Sequence, residues 1–217
     1  YSSAASDVYK RQTLYLVTDR DVLRERDLIK CIEESILGGV TLVQLREKNV
    51  TSREFYEIAI KVKEVTSRYN IPLIINDRLD IALAIDADGL HIGQKDLPAS
   101  VARKILGKDK ILGVSAATLQ ESLKAEKDGA DYLGVGAVFS TSTKKDTRDV
   151  SYETLSSITS SVNIPVVAIG GINEKNVTKL KESNIDGIAV ISCILGKEDV
   201  KGAAEKMLDR FKEGISF

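Results

Sequence analysis

No charge of one sign dominates this sequence: 31 Lys and Arg stand against 32 Asp and Glu, a formal net charge of -1. A general nucleic-acid binder would carry a strong basic excess, so that class is excluded, while a local cation cluster around a small anion is not. No apolar run approaches the ~18 residues that a membrane span needs. Two cysteines, Cys31 and Cys193, are too few and too far apart for a disulfide framework or a zinc site. They read as small buried apolar residues in a reduced, cytoplasmic setting. The single histidine, His91, leaves no Cys–His or Ser–His pair in view, which counts against nucleophilic hydrolysis. The sequence opens without a secretory apolar segment. Residues 1–12 are polar, Ser/Ala-rich and aperiodic, and we set them apart as a disordered leader or a cloning or sequencing scar.

What is present is a hydrophobic share of 43% over 217 residues, enough for a substantial core. Short runs rich in Val, Ile and Leu on both parities read as buried parallel strands. They fall at Leu14–Thr18, Thr41–Leu45, Leu73–Asn76, Gly89–Ile92, Ile111–Ser115, Tyr132–Val135, Val166–Ile169 and Gly187–Ile191. Amphipathic stretches between them predict helices over Asp27–Leu37, Thr51–Tyr69, Thr118–Asp128, Lys175–Ser183 and Val200–Lys212, with shorter ones over Arg78–Ile85, Ala99–Leu106 and Tyr152–Ser160. Asn-Ile-Pro recurs before strands at 70–72 and 163–165, and Asp-Gly or Ala-Asp pairs recur at the same place in other units. Eight strand–helix units without a composition break make residues 13–217 one α/β domain, a (β/α)8 TIM barrel. An open doubly wound sheet is the alternative fold.

In such a barrel the chemistry gathers at the carboxyl ends of the strands. Polar residues pile up there: Gln44-Leu45-Arg46-Glu47-Lys48, Asn76-Asp77-Arg78, His91 to Asp96, Ser115, Ser140 to Asp146, Gly170-Gly171 and Ile191-Ser192. Gly170-Gly171 after the seventh strand and Ser192 after the eighth sit where this fold often cradles a phosphate. A tight turn alone would also explain the Gly pair. Asp77 and Asp96 end neighbouring strands, and Arg46, Lys48 and Lys144 end others. Two carboxylates with several cations suit a diphosphate bridged to Mg²⁺. The plainer roles for Asp77 are a helix N-cap or a solvated pair with Arg78. His91 is taken as a satisfied structural residue with no catalytic role. The polar stretch from Ser140 to Asp149 reads as a lid over the barrel mouth.

Together these strings resemble the thiamine-phosphate synthase (thiamine-phosphate pyrophosphorylase) family. The matching segments are Tyr-Leu-Val-Thr-Asp (15–19), Val-Gln-Leu-Arg-Glu-Lys (43–48), Ile-Ile-Asn-Asp-Arg (74–78), Gly-Leu-His-Ile-Gly-Gln-Lys-Asp-Leu-Pro (89–98), Gly-Val-Ser (113–115), Tyr-Leu-Gly-Val-Gly (132–136), Thr-Ser-Thr-Lys-Lys (141–145) and Val-Ala-Ile-Gly-Gly-Ile (167–172). The resemblance implies a (β/α)8 barrel transferase of thiamine biosynthesis. It would condense 4-amino-5-hydroxymethyl-2-methylpyrimidine diphosphate with a thiazole phosphate, releasing diphosphate.

By motif position, Gln44, Arg46, Lys48, Asn76, Ser115 and Lys144 would bind the pyrimidine diphosphate, with Leu45 and Glu47 in the same segment. Asp77 and Asp96 would hold Mg²⁺. Thr141, Ser142, Thr143, Gly171, Ile191 and Ser192 would bind the thiazole phosphate. Arg46, Lys48, Lys144 and Ser115 would act on the departing diphosphate. Ala137 and Ser140 stand where the family usually has Pro, which would loosen the strand-6 loop, and Ala117 where it often has His. The alternatives are a thiazole tautomerase of the same superfamily, an isomerase of sugar phosphates and a non-catalytic regulator that binds thiamine phosphates. Small molecules are the expected partners, with neither nucleic acid nor membrane; self-association into a homo-oligomer is left open.

Overall fold

The computed structural model describes residues 13–141 and 148–214. Eight parallel strands close on themselves in sequence order. They are β1 (Leu14–Val17), β2 (Leu42–Leu45), β3 (Leu73–Asn76), β4 (Gly89–Ile92), β5 (Ile111–Ala116), β6 (Tyr132–Val135), β7 (Val166–Ile169) and β8 (Gly187–Val190). The closing pair is β1 with β8, in the register Leu14↔Ile188, Tyr15↔Ala189 and Leu16↔Val190. The expected (β/α)8 barrel is therefore the observed one, and the open sheet is excluded.

The helices are α1 (Arg20–Leu23), α2 (Leu28–Leu37), α3 (Ser52–Arg68), α4 (Leu79–Ala84), α5 (Ala99–Leu106), α6 (Leu119–Lys127), α7 (Tyr152–Ser161), α8 (Ser192–Leu195) and α9 (Val200–Gly214). Several begin where the sequence places a cap. Thr51 and Glu54 form a reciprocal capping box on α3, and Asp27, Thr118 and Ser151 each accept from a backbone N–H of the first turn of α2, α6 and α7. The helix expected over 175–183 is instead a 3₁₀ helix, Val177–Ser183. Its preceding Asn176 makes no side-chain cap, because that side chain is turned to Asn173 N–H (2.8 Å) and the Gly171 carbonyl (2.9 Å). The one-turn helices α1 and α8 are too short to show a period, and the sequence reading did not anticipate them.

Alternation along each strand divides the apolar residues into two layers. Leu14, Leu16, Val43, Leu45, Leu73 and Ile75 face outward and pack under the helices, with Ile32, Phe55 and Val62 among their partners. Tyr15, Val17, Leu42, Ile74, Ile111, Tyr132, Val167 and Ala189 face inward and fill the barrel. The fill is tight at one point. A Cβ built on Gly113 would overlap the Tyr132 ring, which is fully buried. Gly113→Ala should therefore cost about 1–3 kcal/mol and lower Tm by several degrees, read by thermal unfolding. An unchanged Tm would mean that the phenol has room to move.

Candidate active site

Four polar side chains continue the inward-facing rows at the carboxyl ends of β2 to β5: Gln44, Asn76, His91 and Ser115. The first three are buried. Gln44 Nε2 donates to the Tyr15 hydroxyl at 2.6 Å, and that hydroxyl lies 2.7 Å from the Tyr132 hydroxyl. Tyr132 Oη is 2.9 Å from His91 Nδ1, and His91 Nε2 is 2.8 Å from Ser115 Oγ. His91 is thus a bonded structural residue, as the sequence suggested, but its partners are residues of the site. Gln44, His91 and Ser115 border a cavity of about 20 Å³, the size of a single water.

Arg46 lies one step beyond β2. It is 8% exposed, and its guanidinium donates to Asp19 Oδ2 at 2.9 Å. The end of β1 grips it further through the Thr18 hydroxyl, which accepts from the Arg46 N–H at 2.9 Å. Its Nε has no hydrogen-bond partner among the described residues and is the one such buried side-chain atom. A buried donor is rarely left unused, so this one marks a place that suits an acceptor. Glu47 is occupied differently: its buried carboxylate takes the Arg20 guanidinium at 2.8 Å. Lys48 is exposed at the rim. Leu45 corrects one expectation, because its side chain is fully buried in the outer apolar layer and belongs to the core.

Asp77 follows β3 with φ of 61°, and its N–H donates to the His91 carbonyl at 2.8 Å. Neither of its plainer roles holds. The N-cap of α4 is Arg78, with no side-chain cap. Arg78 pairs with Asp80 (2.9 and 2.6 Å) and bonds the Ser52 hydroxyl at 2.8 Å, not with Asp77. That pairing holds the Asp80 carboxyl below the usual carboxylate range. Asp96, exposed after β4, accepts from the Gly93 N–H at 2.7 Å.

Opposite these carboxylates, β6 runs into a segment stitched to β7. Val138 N–H bonds the Ile169 carbonyl (3.0 Å) and Phe139 N–H the Gly170 carbonyl (3.1 Å). Gly171 has φ of 62°, and a Cβ there would lie 2.5 Å from the Ser140 carbonyl oxygen. The tight turn is therefore sufficient reason for glycine. Thr141 and Ile191 are half-buried, and Ser192 is exposed as the first residue of α8. Ser142, Thr143 and Lys144, with most of the expected lid, lie outside the described residues, as does the expected leader at 1–12. The base of that loop is tied. Ala137 N–H donates to the Arg148 carbonyl (2.8 Å), Val150 N–H donates to the Ala137 carbonyl (2.8 Å), and Arg148 forms a bidentate pair with Glu121 (2.7 and 2.7 Å). A Pro at 137 would lack the first of these bonds.

The sequence reading missed Tyr15, Asp19 and Tyr132 as parts of the site. The signal of the two tyrosines was strand parity: Tyr15 shares a face with Val17, and Tyr132 is two residues before Gly134; Asp19 lies beyond the strand, where parity says nothing.

A family model described as thiamine monophosphate synthase matches residues 14–194. The chain belongs to the thiamine monophosphate synthase family. Among its relatives, a thiamine-phosphate synthase of Clostridium tetani is 70% identical over 201 residues, 93% of this chain and 96% of that protein. One from Alkaliphilus oremlandii is 60% identical over 194 residues, 89% of this chain and 93% of that protein. A thiamine phosphate pyrophosphorylase of Pyrococcus furiosus superposes with a TM-score of 0.86 at 42% identity, covering 94% of this chain and 98% of that one.

Two outcomes test the geometry within this family member. Asp19→Ala strands the Arg46 cation in a buried place, and urea unfolding should read a loss of about 3 kcal/mol. A loss no larger than that of an exposed substitution would show the pair to be solvated. The second concerns pH. The Arg148 guanidinium holds the Glu121 carboxyl below the usual carboxylate range. The depressed value means that the pair steadies the loop base at neutral pH and loses its hold as pH falls through that value. The protection of the Val150 amide, relative to its intrinsic exchange, should fall as pH drops through that depressed value, and in Glu121→Gln it should be low already at neutral pH.

Proposed function

We propose that this chain condenses the aminopyrimidine diphosphate with a thiazole phosphate to give thiamine phosphate and diphosphate. The observation that carries this reading is the buried Arg46 with its unused Nε, set beside Gln44, Asn76 and Ser115 at one barrel mouth. The family match supports it.

In the reaction the bond between the pyrimidine methylene carbon and a diphosphate oxygen breaks. The thiazole nitrogen lends its electron pair to that carbon, and diphosphate leaves with the bonding electrons. No proton needs to be removed from the attacking nitrogen, so the protein's work is positioning and charge compensation. Gln44 and Asn76 would orient the pyrimidine. Arg46, Lys48, Lys144 and the Ser115 hydroxyl would meet the charge growing on the diphosphate. Thr141, Ser142, Thr143, Gly171, Ile191 and Ser192 would hold the thiazole phosphate.

Among the described residues no group of three or more His, Cys, Asp or Glu side chains could hold a metal. Asp77 and Asp96 alone suit Mg²⁺, which takes one or two carboxylates and completes its shell with water and phosphate oxygens. When bound there, the ion would offset diphosphate charge. The same reading assigns the protein to the reducing cytoplasm, where Cys31 and Cys193 stay free and buried. Burial pushes the Cys193 thiol up to about 12. No helix among the described residues is long and apolar enough to cross a membrane.

Incubation with both substrates and Mg²⁺ should yield thiamine phosphate and diphosphate in equal amounts, and EDTA should stop it. Asp77→Ala and Asp96→Ala should fold normally and lose about a hundredfold or more in kcat/KM. Thiazole phosphate binding without any thiamine phosphate would reverse the reading in favour of a tautomerase. Full turnover of either variant in EDTA would remove the metal from it.

A further inference from the structure

The four hydrogen bonds from Gln44 to Ser115 form one continuous chain through the barrel interior, and a single polarity can run through it from the Gln44 end. Gln44 Nε2 donates to the Tyr15 hydroxyl. Tyr15 is 3% exposed, and burial raises its phenol above the ordinary value, so its hydrogen stays on. The hydrogen-bond partners of that hydroxyl are Gln44 and Tyr132. Having accepted from Gln44, Tyr15 gives its one hydrogen to the Tyr132 oxygen; any other direction leaves a buried O–H without an acceptor. Continued in the same sense, Tyr132 would direct its hydrogen to His91 Nδ1, 2.9 Å away. A nitrogen that accepts carries no hydrogen, so the ring hydrogen sits on Nε2 and points at Ser115 Oγ, 2.8 Å away. Ser115 accepts there, and its own hydrogen is free to point out of the barrel.

The barrel is shaped to hold this chain. Two of the inward positions beside it are glycine. Gly113 leaves the space that the Tyr132 ring fills, and a Cβ on Gly134 would stand 3.1 Å from His91 Cε1. The Tyr15 and Tyr132 rings meet edge to face at 6.0 Å, and the His91 ring lies 5.5 Å from that of Tyr132.

We propose that Tyr15, Tyr132 and His91 are positioning residues. They fix His91 with its hydrogen on Nε2, and so turn the Ser115 hydroxyl outward as a donor to the diphosphate. The chain links the residue that would read the pyrimidine, Gln44, to the one that would meet the leaving group. In its assigned polarity Gln44 keeps its carbonyl for the ligand. The reverse polarity would need Gln44 to turn that carbonyl to Tyr15, and Ser115 would then give its hydrogen to His91. This proposal rests on the diphosphate reading of the site for its consequence, though not for the hydrogen positions themselves.

His91 is the only histidine, so ¹⁵N-histidine labelling of the whole protein gives a single ring to observe. At neutral pH its Nδ1 should show the shift of a bare nitrogen and its Nε2 that of a protonated one. The opposite tautomer, or a mixture, overturns the proposal. The link to the ligand is read by calorimetry with inorganic diphosphate and Mg²⁺ in a double-mutant cycle. Tyr132→Phe, which keeps the ring and removes the hydroxyl, should weaken diphosphate binding about tenfold. It should have no further effect in a Ser115→Ala background. Additive effects of the two substitutions would sever the chain from the ligand. His91→Gln carries an amide N–H near the Nε2 position and should bind diphosphate better than His91→Asn, whose amide reaches only the Nδ1 position; the reverse order also overturns the proposal. Thiamine phosphate synthesis with an additive cycle would leave the function standing and the chain without its role. A locked tautomer and a coupled cycle without synthesis would leave the chain standing and the reaction wrong.

Discussion

Two phenols meeting at the centre of the barrel set the terms for everything above them. A closed eight-stranded sheet has an interior that only side chains can fill. Here Tyr15 and Tyr132 supply much of the volume, with Val17, Leu42, Ile74, Ile111, Val167 and Ala189 around them. A Tyr ring satisfies the apolar demand, but its hydroxyl must find a partner when buried. The two hydroxyls meet 2.7 Å apart and still have bonding capacity left, which Gln44 and His91 take up. The boundary between packed core and polar mouth is thus drawn by the tips of these two rings. Polar residues above it are built onto a rigid layer rather than suspended on loops.

The strands were readable because a parallel barrel strand is covered on both faces, so Val, Ile and Leu fill both parities. That same property hid the site. When every residue of Leu14–Val17 is apolar or aromatic, nothing local says that Tyr15 faces inward and Leu16 outward; closure and register decide it. Strand ends with a polar residue at the inward position, such as Gln44 and Asn76, could be picked out. Leu45 was swept in by its neighbours and turned out to be core. Helix starts were legible at Asp27, Thr51 and Thr118, whose capping chemistry is local. The 3₁₀ segment was not, since Asn176 gives its side chain to a loop distant from any sequence period.

Among the described arginines at the mouth, three are held in partly exposed pairs and one is held differently. Arg78 is held by Asp80, Arg148 by Glu121 and Arg20 by Glu47. These are partly exposed guanidinium groups whose pairing is satisfied locally, and they position backbone. Arg46 differs in kind. Asp19 takes one edge of its guanidinium and buries it, leaving Nε bare in a place where water is largely excluded. A buried cation with a donor still unengaged attracts an anion far more strongly than one in solvent, because the dielectric around it is lower. Asp19 also accepts from the Asp21 and Val22 N–H groups that open α1, so its carboxylate is fixed before any ligand arrives. The end of β1 thus prepares the charge on the end of β2.

The two sides of the mouth consequently have different tasks. On the β1–β5 side, side-chain groups are pre-aligned by the phenol layer and by Asp19, so a ligand there meets donors whose orientation has already been settled. On the β6–β8 side the backbone does the shaping: Phe139 and Val138 are stitched to β7, and Gly171 admits the Ser140 carbonyl where a side chain would block it. Rigid donors suit the partner in which a bond breaks, because charge develops there and reorganising the site would raise the barrier. A backbone-lined pocket suits the partner that need only be held and aimed. On the reading proposed above, this asymmetry would match that of the reaction, with the fixed side chains of the β1–β5 side offered to the leaving group and the backbone-shaped β6–β8 side to the nucleophile.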